Sequence, residues 1–227
     1  MKFPVIAPLT RAGLVLALTT LCTLSAAADD LAKVTANAAT IFSKFQESDK
    51  PIPAQVIGKA KAMVIMDTTE GGVIFTGKSG AGVMVHRVGE GWSGPIGIGT
   101  SGASFGLSIG GQDIRTVFLL MDNKAVDYFV NNDDVEFKGE FSGAAGPSEA
   151  AVRDNFVPDH SVYSYIVNDG VFGGMGVQGG VISYEKEETF KYYSQPVTIK
   201  DVLTGKIKPP ESAQVLLRLL DKYPPAP

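Results

Sequence analysis

Between residues 71 and 111 the chain carries 14 glycines, and this density limits what it can fold into more than any other feature. A glycine inside a helix costs about 1 kcal/mol relative to alanine, so the stretch excludes helix. Glycines are tolerated in strands where a neighbouring backbone or ring packs closely. The 26 glycines of the 227-residue chain follow no collagen period, so they predict strands and tight turns. With 44% apolar and 19% charged residues the chain is not disordered. Its 20 basic residues against 24 acidic ones leave no positive excess for nucleic-acid phosphates, and no nucleic-acid partner is expected. One cysteine and two histidines are too few soft ligands for a zinc or iron site, so neither metal nor cofactor is expected.

The first stretch has the pattern of a targeting segment. Lys2 and Arg11 are unopposed by any acid, Ala12 to Leu24 is uncharged and mostly apolar, and Ala26-Ala27-Ala28 offers small residues for cleavage. The run is shorter than the roughly 20 residues a membrane span needs. Leu21 before Cys22 departs from a lipoprotein signal, which calls for a small residue there. The expectation is a signal peptide over residues 1–28 and an exported chain, periplasmic or secreted. From residue 29 onward, 18 basic residues face 24 acids, a formal charge of −6, and no cysteine remains to form a disulfide. A single domain over 29–227 is long enough to bury roughly 70% of its unfolded surface.

Leu31, Val34, Ala38, Ile41 and Phe45 recur at helical spacing, and Pro51 and Pro53 end that helix and begin another, Ala54 to about Lys61. Strands follow at Met63 to Met66, Val73 to Thr76, Gly80 to Arg87 and Ile114 to Met121, with turns at Gly71-Gly72 and Gly89-Glu90-Gly91. Asn123 to Phe129 reads as a helical turn or two, and Val135 to Phe141 alternates as a strand. Asn168-Asp169-Gly170 predicts a hairpin between Tyr163–Val167 and Val171–Tyr184. Glu185 to Tyr193 and Ser212 to Tyr223 read as helices, and the tail Pro224–Pro227 as frayed. The fold class is α+β: a curved or barrel-like, mainly antiparallel, glycine-rich sheet with helices before and after it.

Several motifs suggest chemistry without its context. Gly102-Ala103-Ser104-Phe105-Gly106 matches a hydrolase nucleophile elbow, and His160 follows in workable chain order, but no helix is expected after Ser104. The G-x-G-x-x-G matches at Gly97 and Gly174 likewise lack the following helix that a pyrophosphate requires. Gly102, Gly106 and Gly110 lie in the uncharged stretch Gly91–Gln112, where eight glycines favour a strand pair over a membrane helix. His86 and His160 supply no metal-ligand spacing, and Trp92 reads as a core plug rather than an interface anchor.

The order of shorter motifs carries a resemblance. Ile52-Pro53 and Lys59-Ala60-Lys61-Ala62 lead into Gly80-Ala81-Gly82-Val83-Met84-Val85-His86-Arg87, then Trp92-Ser93-Gly94-Pro95. After these come Ser104-Phe105-Gly106, Gly146-Pro147, Tyr163-Ser164-Tyr165, Gly170-Val171-Phe172-Gly173-Gly174 and Tyr192-Tyr193. Over roughly residues 31 to 206 the series resembles the SYLF domain family. The resemblance implies a lipid-binding module, with eukaryotic relatives that bind phosphoinositides and some that bind actin filaments. The chain departs from the basic first helix of those relatives, since residues 29–50 hold three lysines against four acids. An exported chain would also not meet cytosolic actin.

The leading expectation is therefore non-enzymatic binding of a membrane lipid or another amphipathic envelope component. Lys59, Lys61, Lys78, Arg87 and Arg115 are the candidate headgroup contacts, with Trp92 and Phe105 as apolar contacts. Alternatives are an envelope protein–protein interaction domain and a serine esterase using Ser104 and His160.

Overall fold

The computed structural model describes residues 30–72, 75–105, 110–131, 134–136, 144–148, 152, 156–171 and 181–226. The expected signal-peptide segment 1–28, residues 73–74 of the expected strand Val73–Thr76, and all of 137–143 and 172–180 lie outside the described residues. The turn expected at Gly71-Gly72 is instead the end of the strand Ala62–Gly72. The fold is α+β. Its strands are β1 (Ala62–Gly72), β2 (Phe75–Val88), β3 (Gly91–Trp92), β4 (Ile96–Phe105), β5 (Gly110–Leu120), β6 (Asp134–Glu136), β7 (Ala144–Ala145), β8 (Val162–Val171) and β9 (Val181–Tyr184). They form one sheet in the order β6-β9-β4-β2-β1-β5-β8-β7, with β3 paired to β2. Every pairing is antiparallel except that of β7 with β8. Among the described residues the outer strands β6 and β7 do not pair with each other, so the sheet is open rather than a closed barrel.

Helices cover both faces. The helices are α1 (Leu31–Glu47), α2 (Ala54–Lys59), α3 (Asn123–Asn131), α4 (Lys186–Tyr193), α5 (Ile199–Leu203) and α6 (Gln214–Leu220). Side chains alternate across a strand, so Met63, Ile65, Val83, Val85, Val117 and Leu119 face one way and pack with α1, α2 and α6. Val64, Met66, Met84, Ile96, Ile98, Phe118 and Leu120 face the other way, against α3, α5 and Tyr193 of α4. Helix starts are fixed locally. Asp30 accepts the Ala32 N–H at 3.0 Å, and Asp122 accepts both the Ala125 N–H at 2.7 Å and the Ser161 hydroxyl at 2.6 Å.

Two expectations are overturned. Asn168-Asp169-Gly170 is not a turn: β8 runs straight through it, with Asn168, Asp169 and Gly170 opposite Ile114, Asp113 and Gln112 of β5. The ladder with β5 continues through these residues and satisfies the backbone groups that face it, and this outweighs local turn propensity. The last residues are not frayed through Ala226, whose N–H donates to Gly58 O at 3.0 Å. Tyr223 stacks edge-on against Phe42 at 5.7 Å, which draws the tail onto α1 and α2.

The strands are also longer than their apolar runs suggest. β1 continues from Met66 through Asp67-Thr68-Thr69-Glu70-Gly71-Gly72 while staying paired to both β2 and β5. Glycine permits this approach: a Cβ on Gly82 would run into the Ile65 carbonyl, and one on Gly80 would lie 2.5 Å from the Asp67 carbonyl. Gly77, in the same strand, would place its Cβ in open space. Gly82→Ala should therefore lower stability by roughly 1–3 kcal/mol through overpacking. Gly77→Ala should be neutral or stabilising by about 0.4–1 kcal/mol through the unfolded state. Urea midpoints of the two variants check this, and equal shifts would contradict the close β1–β2 approach.

Candidate functional site

A groove of about 1060 Å³ opens on the α1 side of the sheet. Its floor is the alternate positions of two paired strands, Gly77, Ser79 and Ala81 of β2 with Gly97, Gly99 and Ser101 of β4. None of these six carries a side chain larger than a hydroxymethyl, so the sheet face is bare. Leu31, Val34 and Asn37 of α1 form one wall together with Asp67 and Thr69 of β1. Ser183, Glu185 and Glu188 border the opposite side.

The second wall is fixed by hydrogen bonds to the floor. Glu185 N–H donates to Gly97 O at 3.0 Å, and Gly97 N–H donates to the Thr189 hydroxyl oxygen at 3.0 Å. The Thr189 hydroxyl in turn donates to Glu185 O at 2.8 Å. These bonds carry the Glu185 carboxylate over Gly99, where a Cβ would collide with it. On the other wall Asn37 donates to Asp67 at 2.9 Å and ties α1 to β1. Glu188 pairs with Lys191 at 2.7 Å. Lys33 is the cation on the α1 side of the mouth.

The residues picked from the sequence do not form one patch. Lys59, Lys61, Arg87 and Trp92 belong to the sheet end where β1 begins and β2 finishes. Lys61 is exposed there, and its carbonyl accepts the Arg87 N–H at 2.7 Å. Arg87 and Trp92 do not face outward. The guanidinium donates to Tyr223 O at 3.2 Å and Ile57 O at 3.1 Å and lies 3.8 Å from the Trp92 ring centroid. Trp92 is 8% exposed, so as a membrane contact it is corrected to an internal one, and Arg87 likewise. Burial lowers the Arg87 pKa to about 10, with Asp221 opposing that shift.

Lys78 belongs to the other end of β2. It borders the groove, but its alternation with Met84 directs its side chain to the opposite face, beside Glu70. Burial holds its pKa below the ordinary lysine value, with Glu70 opposing. Arg115 lies mid-sheet, on the rung of Asp67. Phe105 ends β4 opposite Phe75, and its side chain lies outside the described residues.

The esterase arrangement fails on geometry. Ser104 is in a strand on the rung of Thr76 and Gly72, with no elbow. His160 lies beyond Val162, on the rung of Leu120 and Ala62. The 11 residues of β1 separate the two ends, roughly 33 Å at about 3.3 Å per residue. Among the described residues no three His, Cys, Asp or Glu side chains could hold a metal, and no helix is long and apolar enough to cross a membrane. Sequence reasoning missed Glu185, Asp67 and Asn37. It also missed the floor, although small residues at every second position of β2 and β4 mark a bare sheet face.

The family described as "Ysc84: Las17-binding protein actin regulator" matches residues 101–223. Protein YSC84 of Saccharomyces cerevisiae is 34% identical over 179 residues, covering 77% of this chain and 38% of that protein. SH3 domain-containing YSC84-like protein 1 of Homo sapiens is 32% identical over 195 residues, 82% of this chain and 57% of its own length. LAS seventeen-binding protein 3 of Saccharomyces cerevisiae is 32% identical over 198 residues, 82% and 43% respectively. The chain thus spans between 38% and 57% of the length of these relatives. No solved structure matches.

The Arg87 cluster makes its own prediction. Lysine has no planar fork to reach two carbonyls and cover an indole face. Arg87→Lys should cost about 1.5–3 kcal/mol, the scale of a hydrogen bond to a charged group, and should speed amide exchange at Ala226. Hydrogen exchange by mass spectrometry checks this. Unchanged protection of the tail would show that Arg87 does not hold it.

Proposed function

The chain belongs to the Ysc84/SYLF family, and from that premise we propose that it is a non-enzymatic binding module of the cell envelope that holds a membrane lipid or similar amphipathic molecule in the groove beside α1. One observation carries this reading: a groove of about 1060 Å³ with a floor of Gly, Ser and Ala and an apolar flank of Leu31 and Val34. Small-molecule sites range over roughly 300–1,000 Å³, and a bare sheet face lets an elongated chain lie flat against the backbone. Binding rather than turnover fits the polar residues there. Ser79 and Ser101 have no histidine beside them, since His86 contacts Leu203 O at 3.1 Å on the opposite face and His160 lies at the far end of the sheet. The pattern of residues 1–28 supports an exported, periplasmic or secreted location, where cytosolic actin is not a partner.

A protein partner is the second reading, favoured by the family's description as Las17-binding. Groove filling separates the two. Ser79 and Ser101 are opposite each other in register and both exposed, so Ser101→Trp blocks the floor without touching the core. Wild-type protein should co-sediment with liposomes and carry extractable lipid. Ser101→Trp should reduce both at least about fivefold, the loss expected when even part of an acyl chain is kept from burial. Absence of lipid from both proteins, with a protein partner retained by both, would support the second reading.

A further inference from the structure

Resting on that lipid reading, we infer that the groove selects a phospholipid whose headgroup ends in a protonated primary amine, over an anionic headgroup. The inference comes from where the charges lie around the floor. Asp67, Ala81 and Gly99 share one rung across three adjacent strands, and the Glu185 carboxylate lies over Gly99. Carboxylates therefore flank the floor from both sides, roughly 10 Å apart at about 4.8 Å per strand spacing. An anionic headgroup entering between them meets like charge on either wall, whereas an ammonium meets an acceptor on either wall.

The other charges agree. Glu185 uses its backbone N–H and carbonyl to anchor α4, and among the described residues its carboxylate has no ion-pair partner. Asp67 is bonded through Oδ2 to Asn37, which leaves Oδ1 for a ligand. Of the basic candidates, Lys78 is directed to the opposite face beside Glu70 and Arg87 to two backbone carbonyls. Arg115 shares the face of Asp67 but sits on β5, one strand beyond Asp67 on the side away from the floor. Lys33 stays at the mouth, one positive charge that matches the single phosphate of a zwitterionic lipid. Ser79 and Ser101 supply hydroxyl donors on the floor between the two walls. The acidic first segment, unlike a basic membrane-binding helix, fits the same preference.

The test is calorimetric titration of the purified protein with dihexanoyl phosphatidylethanolamine and dihexanoyl phosphatidylglycerol, which share acyl chains and differ in headgroup charge. The ethanolamine lipid should bind about fivefold or more tightly, the scale of one partly exposed charge pair. Glu185→Gln and Asp67→Asn should each weaken ethanolamine-lipid binding about threefold and leave glycerol-lipid binding unchanged or tighter. Equal or tighter binding of the glycerol lipid by the wild type, or equal weakening of both lipids in the variants, would overturn the headgroup preference while the lipid reading stands. If neither lipid binds, the lipid reading and this inference fall together.

Discussion

Both the fold and the groove depend on the ladder that β1 makes with its two neighbours. β1 is paired along its whole length, with β2 on one side and β5 on the other. Its first half, Ala62 to Met66, is buried at every position, which requires cover on both faces and explains why helices lie on each. From Asp67 onward the same strand turns polar and small, Asp67-Thr68-Thr69-Glu70-Gly71-Gly72, while the hydrogen bonding continues. With less apolar surface to bury, α1 covers only part of this half on the β2–β4 side, and a groove remains. One strand thus sets where the core ends and where the groove begins.

The basic residues show how packing can redirect a charge. Arg87 reads in sequence as a strand-end cation available to a headgroup. In the fold it is half-buried, with its NH groups donating to carbonyls from α2 and the tail and its flat face against Trp92. A guanidinium can do this because it presents several donors in a plane and is weakly hydrated. Its charge is spent on joining chain segments far apart in sequence, Ile57 and Tyr223. Nothing local around Arg87 foretells those carbonyl partners, which is why spacing alone could not reveal its role.

Other parts were legible for clear reasons. The first helix announces itself by apolar residues at intervals of three and four, by Asp30 at its start and by the prolines after it, and α1 occupies Leu31–Glu47. The turn at Gly89 needs the positive φ of 59° that it adopts. Strand lengths were less legible, because pairing across β1, β2 and β5 continues after the apolar alternation stops. The same cause hid the true course of residues 168–170, whose turn-forming composition yields to the β5 ladder. In the groove, small residues at alternate positions could be seen, but which helix would flank them could not. Glu185 gains its position from a bond to Gly97, a residue 88 positions earlier.

The glycines of β2 finally divide into two kinds, and the division follows from the strand period. Gly80 and Gly82 point to the face of Met84, where the β1 backbone and Met66 leave no space for a Cβ. Gly77 points to the face of Ser79 and Ala81, where the floor is open. The first kind permits close pairing, and the second leaves the floor of the groove open. Because successive residues face opposite ways, a single strand can hold both without conflict. The floor positions bury little apolar surface and contribute little to stability, so stability has to come from the half of the strand that Val83 and Val85 fill, both fully buried. Core and groove are therefore separated along the strand axis, and closely packed and open glycines are separated across the sheet. That arrangement lets the groove vary in lining while the ladder beneath it stays intact.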